Sequence, residues 1–174
     1  MNKNLRNLVL SAMFIALGVA LPQAFHAVPN AGSVFLPMHI PALLAGYIVG
    51  PVFGLAVGLI TPLLSHLMFG MPPTAVLPSM LCELAMYGLA SGLFTKLIKT
   101  KNTLVKIYAV LILSMLAGRV TYGILNALIF KAGKYSLAAW ISAAFTTALP
   151  GIIIQLIVIP AVLLALIKAK LIKL

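Results

Sequence analysis

Glu83 is the single acidic side chain among 174 residues, set against 12 lysines and arginines. It lies in SMLCELAMYGLAS, residues 79 to 91, an apolar run in which an unpaired carboxylate is costly. Ser79, Glu83 and Tyr87 recur at four-residue spacing, which puts them on one face of a helix. Arg119, Tyr122 and Asn126 form a second polar stripe of the same kind. A carboxylate, a guanidinium, phenols and an amide can hold each other or orient a polar small molecule. They make poor hydrolytic machinery. With one Glu and no Asp there is no carboxylate pair for hydrolysis or for an intramembrane aspartyl protease. His26, His39 and His66 form no HExxH pattern, and AGKYS lacks the upstream glycine spacing and the Ser or Thr after Lys of a phosphate loop. The lone Cys82 allows no disulfide within the chain and reads as a small buried hydrophobe. No catalytic residue and no metal site are predicted, and the chain by itself cannot hydrolyse ATP.

The elements that must position these residues follow from composition. The chain is 63% hydrophobic and 7% charged, with a mean hydropathy of +1.20. Soluble domains carry about 25% charged residues, and a helix needs about 20 apolar residues to cross a bilayer. Period-2 alternation is absent, and lipid leaves no backbone group unpaired, so the spans are helices and not barrel strands. The fold class predicted is an all-α integral membrane protein, a compact bundle of six transmembrane helices in one substrate-binding domain over 1–174. The net charge of +11 does not indicate nucleic acid, because the cations cluster between hydrophobic spans.

The spans read as Leu8 to Phe25, Met38 to Gly50, Pro51 to Phe69, Val76 to Leu97, Ile107 to Phe130 and Ala138 to Ile167. Lys3 and Arg6 precede the first; Lys96, Lys99, Lys101 and Lys106 lie between the fourth and fifth; Lys168, Lys170 and Lys173 follow the sixth. Only Lys131 and Lys134 fall on the opposite side. By the positive-inside rule both termini are expected in the cytoplasm. The first 27 residues also have the outline of a secretory signal. Against cleavage, Ala12, Ala16 and Ala20 recur every fourth residue, which a disposable segment does not need. The connection PQAFHAVPNAGSVFLP, residues 22 to 37, has no charge and is too apolar for a free linker, so it is expected to pack over the spans as a lid.

Small residues carry one signal. Gly46, Gly50, Gly54 and Gly58 repeat every four positions, as do Gly88 and Gly92, a spacing that lets helix backbones approach. Packing within the bundle is the expected use of these glycines. Ala12, Ala16 and Ala20 instead form a smooth stripe on which another subunit could dock. Polar residues biased to the outer half carry the other: His39, Thr61, His66, Ser79, Glu83, Tyr87, Arg119, Tyr122, Asn126 and Gln155. At 1.5 Å per residue Glu83 lies about 12 Å from the outer end of its span and Arg119 about 16 Å from the end of its own. A lone charge at mid-membrane costs on the order of 2.5–3.5 kcal/mol. The matched depths therefore predict a Glu83–Arg119 pair, used either as a register lock or as part of a polar cavity open to the outside.

FLPMHIPALLAGYIVGP, GLITPLLSHLMFGMPP, ELAMYGLASGL and GRVTYGILNAL together resemble the substrate-binding (S) components of energy-coupling factor (ECF) vitamin transporters, over roughly residues 5 to 165. Among these the chain looks most like the pantothenate-type and related S components. The resemblance implies six helices, a vitamin bound at the extracellular side, the first outer loop as a lid, and residence in a bacterial cytoplasmic membrane. It also implies a transmembrane coupling subunit and two ATPases as partners. ATP is then used by those partners, with no cofactor on this chain. The family's alanine-spaced docking motif matches Ala12 and Ala16.

On this reading Arg119 orients an anionic or carbonyl group, and Glu83 holds Arg119 or accepts from the substrate. His39, His66, Tyr87, Tyr122, Asn126 and Gln155 add hydrogen bonds, and Phe25 or Phe35 covers the ligand. A stand-alone carrier that moves a proton on Glu83 is the main rival, although the two halves show no inverted repeat. A purely structural subunit would explain the small-residue stripes but not the outer polar cluster. The topology is checked by cysteine labelling: positions 33 and 133 should react from outside and position 100 only after permeabilisation. Labelling of position 100 in intact cells would overturn the span count.

Overall fold

In the computed structural model, residues 2–24 and 31–172 are described; expectations placed on Phe25, His26 and Lys173 lie outside them. The elements are helical: α1 Lys3–Ala24, α2 Ala31–Phe35, α3 His39–Val49, α4 Pro51–Phe69, α5 Leu77–Leu97, α6 Thr103–Leu125, α7 Leu137–Ile141 and α8 Leu149–Lys168. Wide π turns extend α6 over Asn126–Phe130 and α7 over Ser142–Thr146. No strand occurs among the described residues. Six helical segments are long and apolar enough to cross a membrane, so the protein is a six-helix membrane bundle.

Local chemistry fixes most boundaries. α4 starts with Pro51 directly after Gly50, whose φ of 91° suits a residue without Cβ. It stops at Gly70 in the left-handed region, φ 68°. Asn102 caps α6, its side-chain oxygen accepting from the Leu104 and Val105 amides at 3.0 and 3.3 Å.

Two spans differ from their sequence reading. A single helix over 138–167 would be about 45 Å long, well beyond the ~30 Å hydrocarbon core. The structure divides this stretch into a short apolar hairpin arm, α7, and the true span, α8. The break falls at Thr147–Ala148, just before Pro150, whose ring restricts the residues ahead of it. The second span is likewise in two pieces. α3 covers only 11 residues, about 16 Å, and α2 completes the crossing beyond a turn in which Leu36 takes φ 52°. Such irregular backbone is tolerated at membrane depth where protein surrounds it. Leu36 and Met38 are each 4% exposed, which meets that condition.

α3 is the axis of the bundle, touching α1, α4, α5 and α8. Glycines draw α4 and α5 against it. A Cβ on Gly88 would run into the Gly54 backbone, and one on Gly46 into the Gly88 carbonyl and the Ser91 hydroxyl. Ser91 in turn donates to the Leu43 carbonyl at 3.0 Å. Ala12, Ala16 and Ala20, by contrast, are exposed on the outside of α1.

The start of α1 and the end of α8 lie at one end of the bundle. There Asn7 reaches the Val49 carbonyl at 3.4 Å, and the Tyr47 hydroxyl donates to the Ile107 carbonyl at 2.6 Å. The glycine seam gives a direct check by thermal melting in detergent. Gly88→Ala overpacks the α4–α5 contact and should destabilise by about 1–3 kcal/mol or more. Gly32→Ala, with open space around its Cβ position, should stay within about 0.5 kcal/mol of wild type.

Candidate functional site

The polar site is assembled at the opposite end by three helices. α5 contributes Glu83 and, one turn later, Tyr87; α6 contributes Arg119; α3 contributes His39 from its first residue. Arg119 Nη1 lies 2.9 Å from Glu83 Oε1. The Tyr87 hydroxyl donates to the same oxygen at 3.2 Å. Glu83 Oε2 faces His39 Nε2 at 3.7 Å, too far for a direct hydrogen bond. The His39 and Tyr87 rings lie at 59° with centroids 5.2 Å apart.

The break between α2 and α3 explains His39. It starts a helix at membrane depth, its amide donating to the Leu36 carbonyl at 3.1 Å, which sets the His39 ring at the level of the carboxylate. Gly118 explains Tyr87: the phenol ring occupies the space that a Cβ at 118 would need. Tyr87 thus lies flat between α5 and α6, in line with Glu83.

All four side chains are shut away from solvent. Exposures are 3% for Glu83, 6% for Arg119, 2% for His39 and zero for Tyr87. The sequence allowed a cavity open to the outside; here the cluster is closed over. Tyr122 adjoins Ser79 and Tyr135, within electrostatic range of the ion pair. The Trp140 indole lies over Gly123 and donates to the Arg119 carbonyl at 3.0 Å.

Several buried polar atoms close to these residues or deeper in the bundle have no hydrogen-bond partner in the protein. They include both His39 ring nitrogens, Arg119 Nε, Asn126 Oδ1, the Thr61 and Ser65 hydroxyls, and both amide atoms of Gln155. Each such group costs about 1–3 kcal/mol when nothing satisfies it, and native proteins keep few of them. Hydrogen-bonding capacity is therefore concentrated on the faces of α3, α4, α6 and α8.

Other predicted residues divide. Asn126 opens the π turn of α6 and donates to the Tyr122 carbonyl at 2.8 Å. Gln155 is buried on α8 one turn beyond Gly151, where the backbone of Phe35 rests. α2 therefore lies on α8 and closes that side of the bundle. His66 is not drawn into the cluster: its Nδ1 pairs with the Pro72 carbonyl at 2.7 Å in the loop after α4. Trp140 and Tyr135 were not singled out from sequence. Both line an apolar cleft of about 310 Å³ between α6 and α7, with Val120, Ile124 and Leu137 among its walls. Its size falls within the range of small-molecule pockets. Among the described residues no group of His, Cys, Asp and Glu could hold a metal ion.

The family model for the substrate-specific component of the ECF transporter matches residues 6–163. The chain belongs to this family. No match was found among curated proteins or among solved structures. This S component is thus a multi-pass membrane subunit that binds substrate for an ECF transporter, and its family is one of transporter components and not of enzymes.

The ion pair of the S component can be tested by a double-mutant cycle. Removing one partner leaves the other charge buried and unpaired, typically at about 3–5 kcal/mol. Glu83→Gln and Arg119→Gln should each lower the melting temperature, and the double variant should cost less than the sum of the two. Strictly additive losses would show that the two side chains do not act together.

Proposed function

We propose that this protein captures a small water-soluble vitamin or vitamin precursor at the outer face of a bacterial cytoplasmic membrane, for ATP-driven import with partner subunits. The observation that carries the reading is the buried Glu83–Arg119–His39–Tyr87 cluster in an otherwise apolar bundle, at the end where α2 lies across α8. Ligand sites are mostly apolar with a few convergent polar groups, and this inventory has that form. Tyr122, Asn126 and Gln155 supply further hydrogen bonds, and Phe35 belongs to the covering segment.

The pantothenate-like sequence makes a carboxylate vitamin precursor the first candidate, with Arg119 as its anchor. One distance favours a second. At 2.9 Å from Glu83 the guanidinium charge is already balanced, so a neutral ligand such as a base or nucleoside suits the site without leaving a buried charge uncompensated. A native mass spectrum of the purified protein, searched for a co-purified small molecule, separates the two.

The partners proposed are a transmembrane coupling subunit and two ATPases, with ATP consumed there and no cofactor on this chain. The exposed Ala12–Ala16–Ala20 stripe of α1 is the proposed docking face. Side-chain bulk there holds helices apart without touching the polar cluster. Ala16→Leu should therefore abolish uptake in the reconstituted complex and leave ligand affinity of the isolated subunit unchanged. Equal loss of affinity, or normal transport, would remove the docking role. Uptake by the chain alone, driven by a proton gradient without ATP, would instead establish Glu83 as a proton carrier.

A further inference from the structure

At the end of the bundle where α1 starts and α8 ends, a cavity of about 300 Å³ is lined by Arg6, Tyr47, Ile48, Lys170, Leu171 and Ile172. It joins the start of α1, the end of α3 and the turn that follows α8. We propose that this cavity binds the phosphate of an anionic phospholipid headgroup.

The turn after α8 is the first argument. The Lys170 amide donates to the Ile167 carbonyl at 2.9 Å and the Leu171 amide to the Leu166 carbonyl at 3.0 Å. That bond pattern ends a helix on a residue in the left-handed conformation, a position where glycine is usual. Here the residue is Lys170, with φ 59°. A side chain with Cβ is disfavoured in that conformation, and strained backbone retained by a fold points to a use for the residue that bears it. The use visible here is position: the turn brings a lysine into the cavity that Arg6 enters from α1. Ile172 anchors the turn by packing on the core.

Charge is the second argument. The chain has one acidic side chain, Glu83, and Arg119 holds it at the other end of the bundle. No acidic side chain of this protein is left to balance Arg6 and Lys170. The Tyr47 hydroxyl already donates to the Ile107 carbonyl, so it forms a wall of the cavity and adds no negative charge.

The third argument selects a lipid over a soluble anion. Leu5 and Leu171, each next to one of the two cations, are 52% and 65% exposed. Cations flanked by outward apolar side chains at a helix end meet a phosphate and its acyl chains together. Basic pockets of this kind between helix ends recognise anionic headgroups.

The test measures retention of phosphatidylglycerol against phosphatidylcholine by native mass spectrometry of the full chain, with melting temperature in the same lipids. Each basic residue near a membrane surface contributes roughly fivefold to anionic-lipid affinity, so Arg6→Gln and Lys170→Gly should each lower phosphatidylglycerol affinity about fivefold, and the pair about twenty-five-fold. Lys170→Arg should retain it, and Lys134→Gln at the opposite end should change nothing. Lys170→Gly should also melt at or above wild type in phosphatidylcholine, since glycine relieves the turn; this separates lost binding from lost folding. Undiminished phosphatidylglycerol retention by the double variant would overturn the proposal. So would displacement of the lipid by millimolar inorganic phosphate, which would make the site one for soluble anions. Variants that keep the lipid but no longer assemble with the coupling subunit would identify a protein contact and overturn it as well.

Discussion

Everything at the polar end of this bundle depends on one ion pair in a medium that cannot solvate it. Glu83 and Arg119 sit on successive spans, and each would be expensive in lipid alone. Held 2.9 Å apart, they fix the rotation of α5 against α6. Tyr87, one turn along the same helix as Glu83, reaches the same carboxylate oxygen, and it needs Gly118 of α6 to make room for its ring between the helices. His39 needs the break in the second span to begin a helix at the right depth. The polar centre and the irregular backbone are thus parts of one arrangement.

The seam between α3, α4 and α5 is governed by contact distance. Gly46, Gly54, Gly58, Gly88 and Gly92 remove the side chains that would keep α3, α4 and α5 apart. Packing and polar interaction take the place of the hydrophobic effect as the force joining helices in lipid. This seam gives the polar cluster a rigid base, while α1 lies outside it and keeps its alanine stripe free of contacts with the bundle.

Much of this was legible in the sequence, where a one-dimensional signal carries the information. Apolar runs showed six spans, four-residue spacing grouped Ser79, Glu83 and Tyr87, and equal depth paired Glu83 with Arg119. Depth is not direction, however. His66 has the height of a site residue but turns to the Pro72 carbonyl, because position along a helix does not say which neighbour its face meets. Trp140 escaped notice since its contact with the Arg119 carbonyl exists only after α7 folds back on α6, and no periodicity links residues 119 and 140. The split of the last apolar run was hidden by its uniform hydropathy, although Pro150 and an excess length of about 15 Å over the hydrocarbon core mark it.

The closed state of the polar centre has a thermodynamic consequence. With the ligand assigned to this cluster as proposed, a carboxylate that is 3% exposed is reached only when α2, Trp140 or their neighbours move. Observed affinity is then the intrinsic affinity scaled by the fraction of molecules in which the site is accessible, so that an accessible population of ~1% weakens apparent binding about a hundredfold. On the proposed assignment, the contact of the Phe35 backbone with Gly151 would act on affinity without touching the ligand. Two proteins with identical polar groups but a different residue at 151 would differ in dissociation constant without any change in what the ligand touches.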